Sequence, residues 1–175
     1  YKFCICFDNC FFQNFAPYYF LFYLKKHLIM KERVKVFQVS PEALKAMRGL
    51  EEYISHSGLD RTLYELIKIR ASQINGCAFC LNMHTRDARK LGETEKRIYL
   101  LSAWRETDLY TPKEKAALAL TESMTLIADT HVPDDVYEEA AKQFNEKELS
   151  AVIMAVVTIN GWNRIQITAE APIED

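Results

Sequence analysis

Between Asn145 and Asn163 the chain reads NEKELSAVIMAVVTINGWN, and LSAVIMAVVTIN within it is apolar on nearly every side of a helix. Such a helix cannot sit on a surface with one face in water; other elements have to surround it. Asn145 is a good cap for its start, which predicts a buried helix from Glu146 to roughly Asn163. The remaining sequence offers only helices to do the surrounding. Ser40 and Pro41 make a cap and first-turn pair, and Ala43, Leu44, Met47, Leu50 and Ile54 recur at helical spacing until Ser57 and Gly58. Asp60 can cap a second helix with an apolar side of Leu63, Leu66, Ile67 and Ile74, broken by Asn75 and Gly76. A third runs from about Cys77 to Lys90 and stops at Leu91 and Gly92.

The same grammar continues. Thr94 can cap a helix through Ile98, Leu100, Leu101 and Trp104. Thr111, Pro112 and Glu114 form a boxed start ahead of Ala116, Leu118, Leu120, Met124 and Ile127, and Pro133 opens a short helix to about Phe144. The single candidate strand is Val34 to Val39. The predicted fold is all-α, a bundle of roughly six to eight helices.

Of the 175 residues, 49% are hydrophobic and 26% charged, enough for one domain with its own core. A net charge of -2 gives no basic surplus for a nucleic-acid backbone or an anionic membrane. The first 29 residues are of a different kind: aromatic-rich, without an initiating Met, and carrying Cys4, Cys6 and Cys10. Met30 opens an ordinary sequence, so residues 1–29 are expected to be an upstream-translated or non-native leader and 30–175 the domain. A packing arm and a membrane anchor are the alternatives. The apolar run from Phe11 to Leu24 is shorter than the roughly 20 residues a membrane span needs and is interrupted by Gln13, Asn14 and Pro17. Its basic residues, Lys25 and Lys26, follow it, the reverse of a secretory signal. Without the leader's three Lys and one Asp, 19 basic residues face 23 acidic ones, and only Cys77 and Cys80 remain as cysteines. That excludes a disulfide-stapled secreted scaffold and suits a cytoplasmic protein whose two cysteines do chemistry.

Those cysteines stand in GCAFCLNMH, residues 76–84. On a helix, Cys77, Cys80 and His84 fall at i, i+3 and i+7, on one face. Near a helix start, free backbone N–H groups and the dipole favour a thiolate, the nucleophilic form. A second thiol beside it can resolve the sulfenic acid that a peroxide leaves, and the imidazole can carry the proton. Glu65 lies twelve positions before Cys77, where an antiparallel neighbouring helix could return it to His84. Two other readings stand beside this one. Two thiolates, an imidazole and the Glu65 carboxylate would make four zinc ligands, although structural zinc ordinarily draws on two separated pairs and here there is one. The cysteines could also be small buried hydrophobes.

Glu65, eleven residues, Cys77-Ala78-Phe79-Cys80, three residues, His84 resembles the signature of the carboxymuconolactone decarboxylase superfamily, in its AhpD-like alkylhydroperoxidase branch. TPKEKAALALTESMTLI and INGWNRIQI resemble that family's later helices. The resemblance implies an all-helical subunit assembling as a homo-trimer or homo-hexamer and reducing hydroperoxides through a redox-active Cys77–Cys80 pair. It implies Cys80 as the peroxidatic cysteine, Cys77 as the resolving and more accessible one, and His84 as proton carrier polarised by Glu65. No bound cofactor or metal is implied. The electrons would come from a dithiol such as a lipoyl group on an adaptor protein, and a peroxiredoxin is a further implied partner. The chain departs from the branch at Phe79, where a second histidine stands. The superfamily's decarboxylases, which generally do not depend on a CxxC, and a non-enzymatic redox-sensing oligomer are the rival functions. Of the other residues, His131 is expected in a surface connection, His56 at a helix C-terminus, Trp162 and Asn163 in packing or a subunit interface, and Lys113, Glu114 and Lys115 on a solvated face.

Overall fold

The computed structural model describes residues 33–173. The leader at residues 1–29 and the start at Met30 lie outside the described residues. The chain divides after Arg33, and the architecture below is that of the unit beginning at Val34. Among the described residues every regular element is helical: α1 (Val36–Val39), α2 (Pro41–His56), α3 (Arg61–Asn75), α4 (Ala78–Lys90), α5 (Glu95–Tyr99), a 3-10 turn (Leu101–Glu106), α6 (Pro112–Thr125), α7 (Ile127–Thr130), α8 (Asp134–Gln143) and α9 (Glu146–Ala169). Six of these, α2, α3, α4, α6, α8 and α9, have ten residues or more. None is long and apolar enough to cross a membrane.

Two helices form the interior. In α9, Leu149, Ala151, Val152, Ala155, Val156, Thr158, Ile159, Asn160 and Asn163 are all buried, as its all-round apolar sequence requires. It packs against α2, α3 and α6. Gly161 lets α2 approach, since a Cβ there would lie 3.1 Å from the Met47 methyl group. In α3 two apolar faces serve two cores. Leu63 and Ile67 join Ile54, Leu120, Val152 and Val156, whereas Leu66 and Ile69 join Ala88, Ile98, Leu101, Trp104 and Leu118. Fully burying a side chain such as Leu66 contributes roughly 1.5 to 3 kcal/mol, so these contacts dominate the helix's stability.

The helix starts follow their caps. Asp60 Oδ1 accepts the Leu63 N–H at 2.8 Å, and Thr111 with Glu114 and Asn145 with Glu148 make complete capping boxes. Ser40 occupies the cap position of α2 without a side-chain hydrogen bond. Four expectations need correction. Val36–Val39 forms one helical turn, not a strand. The helix capped by Thr94 breaks at Tyr99 into a 3-10 segment with Ala103 outside helical geometry, because Trp104 is drawn down to donate to Glu122 at 2.8 Å. Leu126 interrupts the helix expected to reach Ile127. Finally, α9 continues beyond Asn163 to Ala169.

The remaining surface residues divide. His56 lies in the last turn of α2 with Nδ1 2.8 Å from the Glu52 carbonyl, and His131 is exposed in the connection after α7. Lys113, Glu114 and Lys115 are partly exposed at the start of α6, where Lys113 pairs with Glu148 at 2.8 Å and Glu114 combines its cap with a bond to Arg97.

Candidate active site

The site is built where α3 ends. Residues Glu65, Lys68, Ser72 and Asn75 recur at i, i+3, i+7 and i+10, so a polar stripe runs down one face of the helix. Its lower half is clamped to α9. Asn75 Nδ2 donates to Asn160 Oδ1 at 2.9 Å and Asn163 Oδ1 at 2.8 Å, and Asn163 Nδ2 donates to Ser72 Oγ at 3.0 Å. This clamp accounts for Asn163, a fully buried amide. Gly76 then turns the chain at φ +70°, a left-handed conformation that favours glycine. The Cys77 N–H returns to the Ser72 carbonyl at 3.0 Å.

Cys77 is thereby set as the N-cap of α4, its Sγ accepting the Cys80 N–H at 3.3 Å. Cys77 and Cys80 are joined as a disulfide with their Cα atoms 5.3 Å apart. Both are 1% exposed, so Cys77 is not the more accessible of the pair. Its sulfur is turned inward by its capping role. Cys80 is the one that lines a cavity of about 450 Å³, together with His84, Phe79, Met83, Trp162 and Lys68. Phe79 forms part of this wall.

His84, 4% exposed, places Nδ1 2.9 Å from Glu65 Oε2, the pairing expected from the twelve-residue offset. Burial alone would raise the Glu65 carboxyl, but the His84 hydrogen bond and the Lys68 charge overcome it and hold Glu65 below its ordinary value. The carboxylate form accepts the Nδ1–H, which leaves Nε2 as the acceptor of the neutral imidazole. Among the described residues no group of three or more His, Cys, Asp or Glu side chains converges as metal ligands.

Two further participants, Lys68 and Glu51, are not singled out by the sequence, and a third, Trp162, is expected there only in packing or a subunit interface. The buried Lys68 Nζ lies 2.8 Å from Glu65 Oε1, 3.9 Å from Glu51 Oε2 and 3.8 Å above the Tyr64 ring. Glu51 accepts the Tyr64 hydroxyl at 2.7 Å and the Trp162 indole N–H at 2.9 Å. Trp162 in turn meets Phe37 edge-on, their ring centroids 5.5 Å apart. The polar stripe of α3 is a signal for Lys68; Glu51, distant in sequence from its partners, offers none.

Fold and site together define a helical dithiol protein, and comparison with known proteins places it. Residues 41–123 match the model of the Carboxymuconolactone decarboxylase family. The chain is 50% identical over 138 residues to the uncharacterized protein YdfG of Bacillus subtilis (strain 168), covering 79% of this chain and 94% of that one. It is 41% identical, with a TM-score of 0.79, to a crystal structure from Agrobacterium tumefaciens, covering 83% and 99% of the two chains. That protein is of unknown function and has been put forward as an antioxidant defence protein AhpD. The fold is also that of the debrominase Bmp8, at 19% identity and a TM-score of 0.69, over 79% of this chain and 74% of that one. A peroxidase-related protein from Silicibacter sp. TM1040 shares it at 21% identity and 0.67, over 89% and 82%. The chain belongs to the carboxymuconolactone decarboxylase family, in its AhpD-like branch.

Proposed function

We propose that this chain is a dithiol peroxidase that reduces organic hydroperoxides. The observation that carries the reading is a cysteine pair whose cavity-lining member, Cys80, shares its cavity with an imidazole held by a buried carboxylate. In the reduced protein, the Cys80 thiolate attacks the terminal peroxide oxygen. The S–O bond forms, the O–O bond breaks, and the alkoxide leaves as an alcohol with a proton from His84. Cys77 then attacks the Cys80 sulfenic sulfur; the S–S bond forms and the oxygen leaves as water. An external dithiol returns two electrons and two protons by exchange with the disulfide.

Glu65 fixes the tautomer of His84 throughout, and Phe79 leaves His84 as the one imidazole of the motif. The proposed donor is a lipoyl-type dithiol on a partner protein, with a peroxiredoxin as the other partner class. A homo-trimer or homo-hexamer in a reducing cytoplasm is the proposed setting. The test is peroxide consumption by the full chain supplied with dihydrolipoamide. Wild type is expected to turn over, and Cys80→Ser to lose at least about 100-fold, as loss of a nucleophile does. No turnover with any dithiol, or a fully active Cys80→Ser, would overturn the reading and return the chain to a decarboxylase or sensing role.

A further inference from the structure

We propose that Lys68 is a positioning residue: it holds Glu65 as the carboxylate that retains the His84 Nδ1 proton, so that Nε2 remains the acceptor for the Cys80 proton. As a statement about catalysis this rests on the peroxidase reading. Its geometry does not.

The starting point is a lysine, 6% exposed, in a helix whose other faces feed two apolar cores. Burying an ammonium is costly, and an ion cluster inside a protein seldom outperforms a well-packed apolar side chain such as Met. Stability alone therefore does not account for a charge at this position. What Lys68 changes is its neighbour. Glu65 has two oxygens with separate partners: Oε2 meets His84 and Oε1 meets Lys68 at 2.8 Å. Glu51 and Tyr64 hold Lys68 from the far side, Glu51 as its second carboxylate and the Tyr64 ring beneath it, while the Trp162 indole N–H donates to Glu51. The chain of contacts thus runs from α9 through α2 and α3 to α4.

The charged and titratable groups facing the pair are few. From α2 come Glu51, Glu52 and, across the cavity, Arg48; from α3, Arg61, Tyr64 and Lys68; from α4, His84 and Asp87, the last already paired with Lys90 at 2.7 Å. Lys68 is the cation bonded directly to Glu65. Without it, burial would protonate Glu65 at a higher pH. A protonated Glu65 donates to Nδ1 instead of accepting from it, the imidazole proton moves to Nε2, and His84 can no longer take a proton from the thiol. The second, more polar cavity, about 520 Å³, has Glu51, Glu65 and Lys68 in its wall, and Glu51 and Lys68 line the first as well.

The experiment uses reduced full-length chain carrying Cys77→Ser, with iodoacetamide alkylation followed at the Cys80-containing peptide by mass spectrometry as pH is varied. Lys68→Met is expected to move the acid limb of the alkylation rate upward by about one to three pH units, the usual effect of removing an adjacent opposite charge. Lys68→Arg is expected to restore it. In a Glu65→Gln background the Lys68→Met shift is expected to vanish. An unmoved limb overturns the proposal. A shift undiminished by Glu65→Gln also overturns it, because Lys68 would then act on the thiol directly. If the methionine variant does not fold by circular dichroism, Lys68→Gln, which removes the charge and keeps a donor, carries the same comparison. Alkylation needs no peroxide: a missing peroxidase activity with an intact Lys68 effect refutes the function and leaves this inference standing.

Discussion

Glu65 balances two hydrogen-bonded partners from the interior of the protein, and its removal should be felt in stability as well as chemistry. Its folded-state acidity lies below the ordinary value of 4.5, so it contributes stability that is present above that value and lost as pH falls through the lower, folded one. Glu65→Gln should therefore cost about 3 kcal/mol near neutrality, the usual consequence of stranding a buried partner. The difference from wild type should shrink in acid; urea titrations at neutral and strongly acidic pH would check this, and an equal deficit at both would refute it. The Glu65–His84 pair was legible because a short glycine turn between two helices fixes how far back the first one reaches. Lys68 was legible in principle, as one member of a polar stripe on a buried helix. Glu51 was not, since its partners Tyr64, Lys68 and Trp162 are set by packing across three helices. The inward turn of Cys77 was not legible, because cysteine is not among the ordinary N-cap residues that announce such a contact.

At the scale of elements, start signals translated well. Asp60, Thr111 and Asn145 each accept the backbone N–H three residues on, a local event that needs no tertiary help. Interruptions translated poorly. Nothing in Ile98 to Trp104 announces a break, and the cause is remote: the Trp104 indole and Arg105 both reach Glu122 on α6. The short strand candidate failed because a brief valine-rich run specifies a strand only where a neighbour exists to pair with. Among turns, Gly76 is the one that sets the site, and Gly76→Ala should destabilise the fold by about 1 kcal/mol or more because alanine is strained at positive φ. No atom blocks the added methyl group, so the cost would be conformational. A urea midpoint unchanged by this substitution would show that the left-handed turn is not required.

For the whole molecule, two phenols limit stability in alkali. Burial and the Glu51 charge raise Tyr64, and burial pushes Tyr110 up to about 12, both from an ordinary 10.0. The sign is the reverse of the glutamate's: their contribution is intact below 10.0 and is lost as pH rises toward the folded values. The denaturation midpoint should fall between about pH 10 and about pH 12, and Tyr64→Phe should flatten that fall. An identical decline in Tyr64→Phe would contradict it. The capping sulfur of Cys77 has its own global consequence. The atom that opens α4 is also an electrode, and a thiolate accepts the Cys80 N–H more strongly than a disulfide sulfur does. A closed thermodynamic cycle joins oxidation and unfolding. The difference in unfolding free energy between the two redox forms therefore equals the difference in electron affinity between folded and unfolded chain, about 1.4 kcal/mol for every 30 mV. Denaturation curves of the oxidised and reduced protein, set against each other, read a voltage, and the reduced form is expected to gain from the stronger cap wherever Cys77 is ionised.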